Sequence, residues 1–259
     1  MNSSPLKALL LPVLAASLLL TVPFGARAGS ILTNGNFSSP GTSGQLTVNS
    51  YSLTGWTGGG KEGTFGSQTT PPVFVFALGT ANQLATTGVM GDAFMGTVDF
   101  YGVTAAPGGG AVVAADGDPA WAGSISQTVS GLMVGDTYSL TFNWAGAQQQ
   151  GFSGPTTEKW QVSFGGSTQT TSTVSTPSQT FEGWQTGSLT FTATSASEAL
   201  TFLAVGSPSG EPPWLLLNGV SLTDTTSAGA PEPGTLLLLG VGGAVLVGSV
   251  RRRRKATRS

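Results

Sequence analysis

Between Gly29 and Ala230 the chain carries eleven carboxylates but no histidine and no cysteine. That inventory rules out a Ser-His-Asp triad, a Cys-His dyad, a His/Cys zinc centre and thiol redox chemistry. The catalytic route left is a pair of carboxylates, as in glycoside hydrolysis, where the separation of the two acids sets the stereochemical outcome. The acids are scattered through turns, and none stands in a recognisable catalytic motif. A Ser-Lys pair would have to use Lys61 or Lys159, and neither has a supporting context. The densest oxygen cluster is Asp116-Gly117-Asp118, followed by Pro119, Ala120 and Trp121. A loop tryptophan offers a flat platform for the apolar face of a sugar ring, with Asp116 and Asp118 within reach of the hydroxyls. The same residues also read as an Asx-rich turn followed by an aromatic that packs a core.

Strands must position these groups. Tyr138, Leu140, Phe142 and Trp144 alternate with Thr137, Ser139, Thr141 and Asn143, the period of two of a strand buried on one face. Ile125 and Val129 flank Gln127 in a preceding strand, and Gly131 to Asp136 supply the turn between them. Trp160, Val162 and Phe164 alternate again before Gly165-Gly166, a hairpin signal. Leu189 with Phe191, Leu200 with Phe202, and Trp214, Leu216, Val220 and Leu222 give three more strands. Val73 to Leu78 and Phe94 to Phe100 are weaker segments. Trp144, Trp160 and Trp214 fall in strand phase and are expected in the core. No stretch from Gly29 to Thr226 has helical period with caps, so the expected fold is an all-β antiparallel sandwich of the jelly-roll kind.

Charge narrows the partners. The whole chain is nominally −2, but eight of its ten cations lie before Gly29 or after Val250. Residues 29 to 230 keep two lysines against eleven acids, a net charge of −9 with no arginine. Such a surface repels phosphate backbones, and nucleic acid is excluded as a partner. Cysteine is absent although export leads to a disulfide-permissive compartment, so stability must come from core burial or bound ions.

The two ends differ from the rest. Residues 1–28 carry Lys7, an apolar stretch from Ala8 to Leu20, and Ala26-Arg27-Ala28, which reads as a secretory signal with cleavage after Ala28. The alternative is an N-terminal membrane anchor. From Pro231 the chain reads Pro-Glu-Pro-Gly, then an uncharged run from Thr235 to Val250, then Arg251, Arg252, Arg253, Arg254 and Lys255. As a helix that run would span about 24 Å, short of a hydrocarbon core of roughly 30 Å. The five cations act as a stop signal that holds this end in the cytoplasm. The prolines keep the approach to the helix extended, the form a transpeptidase cleft can grip. A plain C-terminal anchor is the alternative.

The order of these parts resembles the PEP-CTERM sorting signal of Gram-negative bacteria, with Pro231, Glu232 and Pro233 at the motif and Arg251 to Lys255 at the basic end. The resemblance implies recognition by exosortase, a membrane-embedded cysteine transpeptidase that removes the tail. The expected division is signal peptide 1–28, sandwich 29–226, linker 227–234, transmembrane helix 235–250 and basic tail 251–259. The expected route runs through the secretion translocon and the inner membrane, with transient anchoring, to the cell surface or extracellular matrix.

The middle resembles the galactose-binding-like sandwiches. Asn34-Gly35-Asn36-Phe37 matches their opening Asn-Gly-x-Phe, and Gly55-Trp56 the Gly-Trp that follows. Gln127-Thr128-Val129 and Gly135-Asp136-Thr137-Tyr138-Ser139-Leu140 match the middle motifs, and Leu217 to Leu222 the closing strand. The family often holds a structural calcium through carboxylates at places where this chain has Ser38 and Asn218. Only a weak ion held by backbone carbonyls would fit there. The expected function is a non-catalytic envelope or matrix protein that binds carbohydrate or exopolysaccharide, with no cofactor. The alternative is a polysaccharide hydrolase using a carboxylate pair.

Overall fold

A computed structural model of the protein describes residues 29–39, 44–46, 52–60, 75–80, 89–90 and 97–226, and these form strands and connections with no helix among them. The strands are β1 (Gly44–Gln45), β2 (Thr57–Gly60), β3 (Val75–Thr80), β4 (Val89–Met90), β5 (Thr97–Val98), β6 (Ala111–Asp116) and β7 (Gly123–Ser130). They continue with β8 (Thr137–Gln148), β9 (Thr156–Phe164), β10 (Ser167–Thr170), β11 (Val174–Thr176), β12 (Gln185–Thr192), β13 (Ser197–Ser207) and β14 (Pro213–Asp224). One six-stranded sheet runs β1-β3-β6-β14-β8-β12. The other runs β10-β9-β13-β7-β2, with β11 also on β9, and β4 and β5 form a separate pair. Every pairing is antiparallel. The signal segment 1–28, the linker and sorting motif, the apolar run 235–250 and the basic tail lie outside the described residues.

Alternation along each strand builds the core. In β8, Tyr138, Leu140, Phe142 and Trp144 turn inward, against Trp160, Val162 and Phe164 of β9 and Leu200 and Phe202 of β13 in the facing sheet. Trp144 and Trp160 are buried in this interior, as their strand phase requires, and Trp214 is buried as well, though on the other face of its sheet. The Gly165-Gly166 hairpin joins β9 to β10, and the Gly131–Asp136 turn joins β7 to β8. Both glycines of the hairpin take positive φ (61° and 71°), the conformation a tight two-residue turn demands.

Strand phase departs from the sequence expectation in β14. Trp214, Leu216, Val220 and Leu222 do not share one face. Register shifts between Asn218 and Ser221, where Gly219 takes φ 60°. Before this bulge Leu215 and Leu217 face the interior, and after it Val220 and Leu222 do. Trp214 and Leu216 point to the opposite, outer face of the β1-β3-β6-β14-β8-β12 sheet. The extra residue of a bulge moves the side-chain period by one.

That outer face carries a second apolar layer. Phe76, Val112, Ala114, Ala145, Ala147, Trp214 and Leu216 are covered by Phe100, Val103 and Ala106 from the segment after β5, with Trp121, Phe181 and Trp184 packed against them half-buried. Phe76 and Phe100 meet Trp214 edge-on, each at 5.5 Å between ring centroids. Coverage on both faces explains β6, whose residues Ala111 to Asp116 are all buried. Without alternation, nothing in its residue types separates it from a loop.

The resemblance motifs converge although they are far apart in sequence. Gln127 accepts from Thr33 N at 2.8 Å and donates to Thr33 O at 2.8 Å and to Gly55 O at 2.9 Å. Trp56 Nε1 donates to Asn34 O at 3.1 Å, and the Trp56 ring lies 5.2 Å from Phe37. Asn218 Nδ2 donates to Gly109 O at 2.9 Å and Ala111 O at 2.7 Å. Those carbonyls are therefore turned to an amide donor, and Ser38 Oγ leans 3.4 Å from Asn36 O. An amide and a hydroxyl thus stand where the family has two carboxylates, and Asn218 Oδ1 is buried with no hydrogen-bond partner among the described residues.

Candidate functional site

Four connections gather at one end of the sandwich: β6–β7, β8–β9, β11–β12 and β13–β14. The segment after β5 joins them, since Tyr101 N donates to Gln148 O at 3.1 Å and Gln150 N to Asp99 O at 2.8 Å. Polar side chains stitch the loops together. Asp118 accepts from Ser209 Oγ at 2.8 Å and Gly210 N at 2.6 Å, tying β6–β7 to β13–β14. Glu211 Oε2 accepts from Ser153 N at 3.2 Å and carries the tie to β8–β9. Gln148 donates to Gly154 O at 2.8 Å and accepts from the Gln179 amide, reaching β11–β12. Trp184 Nε1 donates to Thr104 O at 3.0 Å.

Within this end the Asp116-Gly117-Asp118 cluster forms successive Asx turns. Asp116 Oδ1 accepts from Asp118 N and Asp118 Oδ1 from Ala120 N, both at 2.8 Å. Asp116 is the last residue of β6 rather than a loop residue, and only 3 % of it is exposed; Asp118 is 1 % exposed. The two carboxylates expected to reach sugar hydroxyls are thus directed at backbone and loop partners. Burial pushes Asp116 up to about 7; the Asp118 amide works against that shift, and the Asp118 charge adds to it. Trp121 N donates to Asp118 O at 2.8 Å, which holds the tryptophan beside the cluster. Its ring packs half-buried on the outer layer, so of the three sugar-contact candidates it alone keeps open surface.

A third buried acid stands at this end. Glu158 occupies an inward position of β9, in phase with Trp160, and is fully buried. Thr156 Oγ1 donates to Oε1, and Thr176 Oγ1 donates to Oε2 at 2.7 Å. Gly146 of β8 faces it. A Cβ there would sit 2.8 Å from Glu158 Oε2 and 2.6 Å from Thr176 Oγ1, so glycine makes room for the carboxyl. Desolvation raises Glu158 to about 7 against the pull of the two threonine hydroxyls, and the Glu182 charge adds to the rise. Asp116 lies in phase with Val112 and Ala114 of the outer layer, whereas Glu158 faces the interior. The two acids raised by burial lie on opposite sides of the sheet that holds β14, with Glu158 facing its inner side from β9, not across a cleft from one another.

Sequence reasoning missed Gln148, Ser209 and Glu211 as loop ties, and Phe181 as a companion of Trp121; Trp184, beside Gly183, could be read as a further loop aromatic from the sequence. The sequence signal was the run Gln148-Gln149-Gln150 at the end of a strand, where three amides in succession are poor strand formers but good connectors of loops.

A family model described as a protein of unknown function, DUF642, matches residues 62–214, more than half of the chain. The chain belongs to the DUF642 family. The PEP-CTERM protein-sorting motif matches residues 230–255. It takes in Pro231, Glu232, Pro233 and the cations from Arg251 to Lys255. No curated protein matches the chain. Among solved structures, this DUF642 chain is similar to TmCBM61 in complex with β-1,4-galactotriose, at 15 % identity, 74 % of this chain, 97 % of the other and a TM-score of 0.37. It is also similar to a CBM4 structure at 14 % identity over 75 % of this chain and 99 % of the other, TM-score 0.36. A third is the CBM22-1 xylan-binding domain of Paenibacillus barcinonensis Xyn10C, at 15 % identity over 51 % and 83 %, TM-score 0.32.

Proposed function

We propose that the chain is an exported, non-catalytic envelope or matrix protein, cut by exosortase after crossing the inner membrane through the translocon. In this reading its sandwich holds a neutral polysaccharide of a Gram-negative surface. The observation that carries it is a combination on one chain. A sorting motif lies at residues 230–255, and the sandwich keeps half-exposed aromatics, Trp121, Phe181 and Trp184, on an outer face beside carboxylates already consumed by internal hydrogen bonds. Aromatic platforms bind sugar rings through their apolar faces. The scarcity of cations between Gly29 and Ala230 disfavours an anionic polymer.

Two experiments test this reading. Retention of the exported protein on a panel of neutral polysaccharides should change little between low and high salt, because screening acts on charges and not on ring contacts. Trp121→Ala should abolish retention with the unfolding midpoint almost unchanged. Easier unfolding of that variant would move Trp121 into the core, and release of reducing ends by the wild type would replace binding with hydrolysis. For sorting, Glu232→Ala should leave the C-terminal tail uncut and the protein in the inner membrane. Mass spectrometry of wild-type surface protein still ending at Ser259 would remove exosortase from the account.

A further inference from the structure

The sheet that holds β14 ends at β12, which among the described residues pairs on one side only, with β8. Across the open side of the sandwich stands β10 and the turn that follows it. Gln169 Nε2 of β10 donates to Thr190 O of β12 at 2.6 Å, so the Thr190 carbonyl points away from β8. Outward and inward residues alternate along an antiparallel edge. Ser188 and Thr186 therefore also turn their backbone N–H and C=O groups away from β8, into a groove of about 220 Å³. Thr170, Thr171 and Ser172 form the opposite wall, over a floor that includes Trp144 and Gly187.

The chemistry of this groove is specific. It has no charged lining residue. Thr171 Oγ1 is occupied, accepting from Trp160 N at 3.0 Å and donating to Ser172 O at 3.0 Å. The hydroxyls of Thr170, Ser172 and Ser188 make no hydrogen bond within the described residues. A charged ligand would lose part of its hydration here with no opposite charge to pair it. A purely apolar one would strip water from edge amides and hydroxyls and leave them unpaired. An extended peptide adding to β12 would collide with the Gln169–Thr190 bridge that closes one end. The volume equals that of roughly seven waters and falls below the ~300 Å³ at which sites for drug-sized ligands begin.

We infer that the groove between β12 and Thr170–Ser172 is a second subsite, which takes one uncharged sugar unit at a chain end or branch. Edge amides and carbonyls of Thr186 and Ser188 bond its hydroxyls from one wall, and Thr170 and Ser172 bond them from the other. The ligand class rests on the carbohydrate reading above, but the residues are separate from the outer face that carries Trp121.

Hydrogen exchange of the full chain, with D-glucose, D-galactose or D-mannose at about 10 mM, tests it. For a millimolar site, exchange of the Gln185–Thr190 amides should slow about tenfold with at least one sugar. Ser188→Tyr, at an exposed position of the edge, should remove that protection by filling the groove, and Ser172→Tyr should do so from the other wall. Trp121→Ala should leave it intact. Unchanged exchange with all three sugars, or protection that survives in both tyrosine variants, overturns the subsite. If polysaccharide retention persists in that case, the outer-face reading stands without the groove. Protection in the absence of any polymer retention would instead support the groove and overturn the outer-face reading.

Discussion

Replacing Phe142 with alanine should lower the unfolding free energy by about 3–5 kcal/mol, as other large-to-small aromatic core changes do. Phe142 is 1 % exposed and meets Phe202 of the facing sheet edge-on, with ring centroids 5.1 Å apart and planes at 85°. Above it lies Gly187 of β12, where a Cβ would come within 2.4 Å of the ring tip. Backbone therefore walls one side of the space that the ring would vacate, and backbone closes in less readily than a side chain. The lost contacts would not be recovered by relaxation. Thr141, the preceding residue, points outward and is exposed. Thr141→Ala should cost well under half as much. Urea unfolding of the two variants beside wild type measures the difference, and equal destabilisation would mean that the phase of β8 is wrong.

Acid should stabilise the fold. Glu158 and Asp116 are both raised to about 7 by burial, whereas their unfolded values are those of ordinary carboxylates. Between the unfolded and folded values the native state binds more protons than the unfolded chain, so stability falls as pH rises. The contribution is fully present below the unfolded values and is lost as pH climbs through about 7. For Glu158 the shift from 4.5 to about 7 corresponds to about 3 kcal/mol. The unfolding midpoint should therefore rise on going from neutral pH to pH of about 5. Glu158→Gln keeps a neutral group of the same shape between Thr156 and Thr176 and should flatten much of the slope. A midpoint independent of pH in the wild type, or a slope unchanged in the variant, would show that Glu158 is charged in the native state. Most globular proteins lose stability in this direction because their carboxylates are paired. Here the one cation among the described residues is Lys159, which follows Glu158 but lies on the other face of β9 and is not among the causes of its shift.

The strands that alternate cleanly were legible from sequence. β9, β12, β13 and the first part of β8, up to Trp144, have one face on the core and a more open opposite face, so their period appears in the residue types. β6 was not, because apolar cover on both faces leaves Ala111 to Ala115 with no period to read. β14 was read in the right place and the wrong phase, since a bulge at Asn218–Ser221 leaves little trace beyond Gly219. The Asx-turn reading of Asp116 and Asp118 matches the observed hydrogen bonds. Their burial could not be anticipated, because it is created by Ser209 and Gly210, more than ninety positions along the chain. The groove at β12 was equally hidden: Thr170–Ser172 and Gln185–Leu189 become neighbours only when the sheets face each other.

β14 runs from Pro213, at the end where the four loops are stitched, to Asp224, at the end from which the chain leaves toward its C-terminal tail. It is the inner strand between β6 and β8, and its twelve residues span roughly 40 Å. A polymer held at the loop end and a tether pulling beyond Thr226 would load the domain along its strands. The ladder bonds of β14 would then bear tension side by side, sliding against their partners, instead of opening one after another like a zip. A sheet loaded in that way yields only when many bonds fail together. The sandwich would thus act as a mechanical link as well as a ligand scaffold, strongest along the line joining its two attachments.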